Sequence, residues 1–120
     1  MGIPAMSERK PNQAHLLLEK HLTELDIQFV KEYHFALPKR HWRFDYLLCD
    51  GEENVTSLNV AVEIEGGLFS AGRHTRGKGY QADLDKYNAA TMMGYRVLRF
   101  STADVLRGRA KAFLAEHLSP

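Results

Sequence analysis

Glu63 and Glu65 stand two residues apart in NVAVEIEGG, from Asn59 to Gly67, a segment whose valines and isoleucine read as a buried strand. Strand side chains alternate between faces, so Asn59, Ala61, Glu63 and Glu65 share one face and Val60, Val62 and Ile64 the other. Like charges side by side repel, so the glutamate face must meet either water or something positive. Asp45, set among Phe44 and Tyr46 in the preceding strand, can present its carboxylate to the same place. Three carboxylates from two adjacent strands suit a hard cation such as Mg²⁺ or Mn²⁺. A metal there can bind a phosphate oxygen, lower the pKa of its water and neutralise the charge that develops in phosphodiester cleavage.

Positive residues surround this group in the sequence. GRHTRGKG carries Arg73, His74, Arg76 and Lys78 among glycines that let backbone N–H groups approach a ligand closely, which suits phosphate. Arg43, in KRHWR, adds a cation just before Asp45. Lys86 follows Asp83 by three residues on one helical face, where it could hold an attacking water or stabilise a pentavalent phosphate. Each residue also has a plainer reading. Glu63 and Glu65 suit a solvated sheet face, Asp45 an ion pair with Arg43 or Lys39, Lys86 an ion pair with Asp83 or Asp85, and His74 an ordinary loop. Their joint occurrence favours chemistry. The other histidines lack zinc-ligand spacing, and no G-x-S-x-G elbow exists for a serine hydrolase.

The elements that must position these residues follow from periodicity. Residues 1–10 show none and suit a loose arm, leaving a single domain over 11–120. Ala14, Leu17, Leu18, Leu22 and Leu25 predict an amphipathic helix from Asn12 to Leu25. IQFVKEYHFAL predicts a strand with Phe29, Tyr33 and Phe35 on one face. WRFDYLLC predicts a second, with Trp42, Phe44, Tyr46 and Leu48 on one face and Asp45 on the other. SLNVAVEIE is the third strand, YQADLDKYNAATMM a helix ended by Gly94, and YRVLRF the fourth strand. A last helix, capped by Ser101 or Thr102, buries Val105, Leu106, Phe113, Leu114 and Leu118. The expected fold class is α/β: an antiparallel meander of three strands, a right-handed helical crossover and a fourth strand parallel to the third.

Composition bounds the function. With 120 residues and a net charge of +1, the chain has no global basic field to advertise a polyanion, so any nucleic-acid contact rests on local patches. One cysteine, no signal-type segment and no long apolar run imply a reducing, cytoplasmic setting, with no membrane partner.

RFDYLL, VAVEIEGG, the H-x-R-G-x-G loop, DxxKYNAA and GYRVLRF, in this order, resemble the PD-(D/E)xK nuclease superfamily, in particular small phage or bacterial nucleases related to the very-short-patch repair and VRR-NUC groups. The resemblance implies a restriction-endonuclease-like αβββαβ core and a Mg²⁺- or Mn²⁺-dependent endonuclease acting on DNA in repair, recombination or phage DNA processing. It implies Asp45, Glu63 and the Ile64 carbonyl as metal ligands, with Glu19 of the first helix as an assisting acid. Glu65 stands where the family usually carries lysine and is the expected catalytic substitute for it. It would orient the water with the help of Lys86, the candidate for a lysine moved to the following helix. A non-catalytic DNA-binding module on the same fold and an RNA-directed nuclease are the competing expectations. A homodimer would suit a two-fold symmetric substrate.

Overall fold

The computed structural model describes residues 12–49, 59–66 and 78–118. Its elements are α1 (Gln13–Glu24), β1 (Gln28–His34), β2 (Arg43–Cys49), β3 (Val60–Glu65), α2 (Lys78–Met92), β4 (Arg96–Ser101), α3 (Thr102–Leu106) and α4 (Arg109–Leu118). The strands form one sheet in the order β1-β2-β3-β4. β1, β2 and β3 pair antiparallel, while β3 and β4, joined through α2, pair parallel. The architecture is thus a mixed α/β fold on a four-stranded mixed sheet, in the expected element order. No helix among the described residues is long and apolar enough to cross a membrane.

Two cores sandwich the sheet. On one face Leu18 and Leu22 of α1, Val105 of α3 and Leu114 of α4 pack on Tyr46, Leu48, Val60, Val62 and Phe100. On the other, Ala90 of α2 packs with Phe35, Phe44, Leu47 and Ala61. Ala61 and Val62 alternate as the strand period requires, which directs Glu63 to the α2 side.

The C-terminal helix differs from expectation. Ser101 caps α3 in a reciprocal capping box with Asp104, but the helix then breaks at Arg107 and Gly108, where Gly108 adopts a φ of 81°. The break resets the helical phase. Val105, Ala110 and Leu114 are buried, whereas Leu106 and Phe113 are exposed.

The strand faces also differ, and this bears directly on the site. Phe29 packs in the α1-side core, but Tyr33 and Phe35 pack in the other. Likewise Tyr46 and Leu48 face α1, whereas Phe44 and Trp42 face α2. Both strands change sides at one rung. Lys31 pairs with Tyr46 and Tyr33 with Phe44, yet Glu32 and Asp45 between them do not pair, and Glu32 has a φ of 52°. In β1 the left-handed residue rotates the chain about its axis without inserting a residue, so the register survives while its faces exchange, and β2 exchanges faces opposite it. The exchanged end is held by aromatic packing. Phe35 stacks on Phe44 at 4.1 Å, and Tyr95 meets both rings edge-on.

Where α1 meets α4, His21 lies near Lys20, Glu24 and Lys111, with Nδ1 buried and without a hydrogen-bond partner among the described residues. Burial, and after it the Lys111 ammonium, holds its pKa below the ordinary 6.5. Because the folded value is depressed, the unfolded chain takes up this proton first as pH falls. The stability that neutral His21 contributes is full above about pH 6.5 and is lost as pH drops below it, through the folded-state value. His21→Leu should flatten this slope. Urea midpoints of both proteins at about pH 8 and about pH 5 measure it, and an equally steep fall in the variant would remove His21 as the cause.

Candidate active site

The sheet opens at the rung that would join Asp45 to Glu63. Among the described residues β2 and β3 pair at Tyr46–Val62 and Leu47–Ala61, and not at the Asp45–Glu63 rung. Beyond that point side chains replace the ladder. Asp45 Oδ2 accepts the Ile64 N–H at 2.8 Å, and Glu63 Oε2 accepts the Asp45 N–H at 3.1 Å. Asp45 sits where β2 changes faces, and this turns its carboxylate toward the neighbouring strand. The strand pair is thus splayed, with both carboxylates in the gap.

Glu63 is the one charged residue in the core of the described chain, at 8% exposure. Burying a carboxylate costs several kcal/mol unless it is paired, and α2 supplies the partners. Lys86 Nζ lies 3.1 Å from Glu63 Oε1, and the Tyr87 hydroxyl donates to the same oxygen. Burial, reinforced by that hydrogen bond, pushes the Tyr87 pKa well above its usual value, so the phenol remains a donor throughout the physiological range. Glu65, one face-repeat further along β3, pairs with Arg99 Nε of β4 at 2.7 Å. Lys86 and Arg99 both approach the Tyr87 ring, at 5.0 and 4.5 Å from its centre. The repulsion implicit in two glutamates on one strand face is therefore answered twice, once by each cation.

The first helix approaches from the opposite side. His15 Nε2 lies 3.7 Å from Asp45 Oδ2, while its Nδ1 meets Asn12 Oδ1 at 2.9 Å. Glu19 accepts the Tyr46 hydroxyl at 2.7 Å and lies 3.8 Å from Lys31 Nζ.

Of the residues expected at the site, Asp45, Glu63 and Lys86 come together. Glu65 stays beside them but is tied to Arg99. Ile64 turns its side chain to the α1-side core and contributes its N–H to Asp45. Arg43 pairs with Glu32 at 2.7 Å, so the Asp45–Arg43 pairing does not form. Lys86 pairs with Glu63, while Asp85 accepts instead from Gln81. Asp83 is exposed on α2 and acts on Arg99 through charge. Glu19 is bound to Tyr46 and Lys31. Lys78 begins α2, its side chain outside the described residues. Arg73, His74 and Arg76 also lie outside the described residues.

Three contributors had no site role expected of them: Tyr87, within DxxKYNAA, Arg99, within GYRVLRF, and His15. Tyr87 has a local signature, since 83, 86, 87 and 90 form one helical stripe ending in buried Ala90. Arg99 and His15 become neighbours only through the sheet register and the docking of α1.

The donor types fit a hard divalent cation: carboxylate oxygens of Asp45 and Glu63, with the main chain of Ile64 tied to Asp45 through its N–H. Asp45 Oδ1 carries no hydrogen bond among the described residues, whereas both Glu63 oxygens already accept protein donors. Among the described residues no group of three or more His, Cys, Asp and Glu is arranged to hold a metal ion, so a third ligand of these types does not stand ready. Comparison of the chain with protein-family models, with curated proteins and with solved structures found no match.

Proposed function

We propose that this chain is a divalent-metal-dependent nuclease with a restriction-endonuclease-like core, hydrolysing DNA phosphodiesters by water attack. The observation that carries the reading is the meeting of Asp45 and Glu63 across a splayed strand pair, with Lys86 Nζ 3.1 Å from Glu63. Carboxylates on two adjoining strands, with a lysine paired to the Glu63 carboxylate, supply both signs of charge that phosphodiester hydrolysis needs.

Asp45, Glu63 and the Ile64 carbonyl would hold Mg²⁺ or Mn²⁺, which when bound polarises the phosphate and offsets its developing charge. Tyr87 keeps Glu63 oriented through a hydroxyl that stays protonated. Lys86, only 15% exposed, is pinned between Glu63 and the rings of Phe44 and Tyr87, so its ammonium is held ready to donate to a phosphate oxygen or to orient water. Preorganised charge of this kind acts without reorientation during the reaction.

A non-catalytic DNA-binding module is the second reading. It is favoured by how completely the charges are internally paired: Lys86 with Glu63, Arg99 with Glu65. Metal-dependent turnover separates the two. Plasmid, single-stranded, junction and RNA substrates incubated with Mg²⁺, Mn²⁺ or EDTA should show cleavage that EDTA abolishes. Binding without cleavage on any substrate would favour the module.

A further inference from the structure

Arg99 stands in β4 in parallel register with Glu63, two residues before the strand ends. Its Nε donates to Glu65 Oε2 at 2.7 Å, and its guanidinium carbon lies 4.5 Å from the centre of the Tyr87 ring. Those contacts use one N–H and one face of the plane. The side chain is 48% exposed, and its Nη groups carry no hydrogen bond among the described residues. A guanidinium tethered at Nε and stacked on a ring keeps its Nη edge in one plane, the geometry that grips a phosphate through two parallel N–H bonds.

The location agrees. Glu65 and Arg99 lie at the carboxyl ends of the parallel pair β3 and β4, where open α/β sheets place their ligands. Charge agrees as well. Asp45, Glu63, Glu65 and Asp83 against Lys86 and Arg99 leave the cluster net negative, and one bound divalent cation would neutralise it, removing the repulsion a phosphodiester would meet.

We infer that Arg99 is the phosphate-gripping residue of this site and that Glu65 is its positioning residue, holding Arg99 rather than substituting for a lysine. The substrate class rests on the nuclease reading; the anion grip itself does not. Glu65 pairs with Arg99 and shares no hydrogen bond or ion pair with Asp45 or Glu63 among the described residues.

The test uses the full chain labelled for arginine side-chain NMR and titrated with a short DNA oligonucleotide, first in EDTA and then in Mg²⁺. The Arg99 Nη resonances should shift on titration while the Nε–H, locked by Glu65, exchanges slowly. Arg99→Gln should weaken oligonucleotide binding about tenfold, as expected for a lost charge-assisted contact, and Arg99→Lys should recover only part. Glu65→Ala should reproduce the Arg99→Gln defect, appearing in KM rather than kcat, and the double variant should add nothing further. Unmoved Arg99 resonances, or a Glu65→Ala defect confined to kcat, would overturn the inference. A wild-type chain that grips the oligonucleotide through Arg99 but never cuts it refutes the nuclease and keeps the grip. One that cuts while indifferent to Arg99→Gln does the reverse. An oligonucleotide neither bound nor cut overturns both.

Discussion

Glu63→Ala is expected to lose about 3 kcal/mol of folding stability, far more than an exposed glutamate would. The truncation leaves the Lys86 ammonium without its carboxylate at a site 15% exposed, and strips acceptors from the Tyr87 hydroxyl and the Asp45 N–H. Glu63→Gln should cost less, because its amide oxygen can still accept from Lys86 and Tyr87, although the charge is lost and the NH2 group then faces the Asp45 N–H. Urea unfolding of the three proteins orders them directly. A change below about 1 kcal/mol in Glu63→Ala would mean that Lys86 and Tyr87 find other partners, and the buried pair would lose its structural role.

Asp45→Asn should separate chemistry from folding. An asparagine oxygen can still accept the Ile64 N–H that Asp45 Oδ2 holds at 2.8 Å, so the splayed strands stay tied. The negative charge is gone, and with it the capacity to hold a divalent cation. Several kcal/mol of transition-state stabilisation corresponds to a fall in cleavage rate of roughly a thousandfold. The proposed nuclease therefore predicts near-abolished turnover with a urea midpoint close to wild type. Cleavage at the wild-type rate in this variant would remove Asp45 from the chemistry.

The fold was legible where periodicity reports burial. Leu18 and Leu22 repeat at helical spacing and are buried; Val60 and Val62 alternate with Ala61 and face opposite cores. It was illegible where a single backbone angle overrides alternation. Nothing in EYH announces that Glu32 takes a positive φ, yet that residue sends Tyr33 to the opposite side from Phe29, and nothing in FDY announces that Phe44 parts from Tyr46 at the same rung. The break at Gly108 is a milder case, since a glycine inside a helical pattern is at least a warning.

The same contrast divides the site. Asp45, Glu63 and Lys86 were legible because a charged side chain among strand apolars, or one turn along a crossover helix, needs a partner nearby. α2 hid the rest by inverting the usual rule. Its large apolar side chains Tyr80, Leu84 and Met92 are exposed, while Lys86 and Tyr87 turn inward toward Glu63. A helix that buries polar groups against a carboxylate leaves almost no amphipathic signature. Arg99 was hidden for a different reason: its partner Glu65 is distant in sequence and adjacent only through the parallel register.

The unpaired rung between β2 and β3 also constrains how this protein can change. The carboxylates that would do the chemistry are simultaneously the ties that hold two strands together where main-chain bonding stops. A lineage that abandoned the reaction would still be pressed to keep Asp45 and Glu63, or to close the gap in the same step. Inactive descendants of such a fold should therefore shed Arg99 and Glu65 at the mouth long before they lose the acids in the seam.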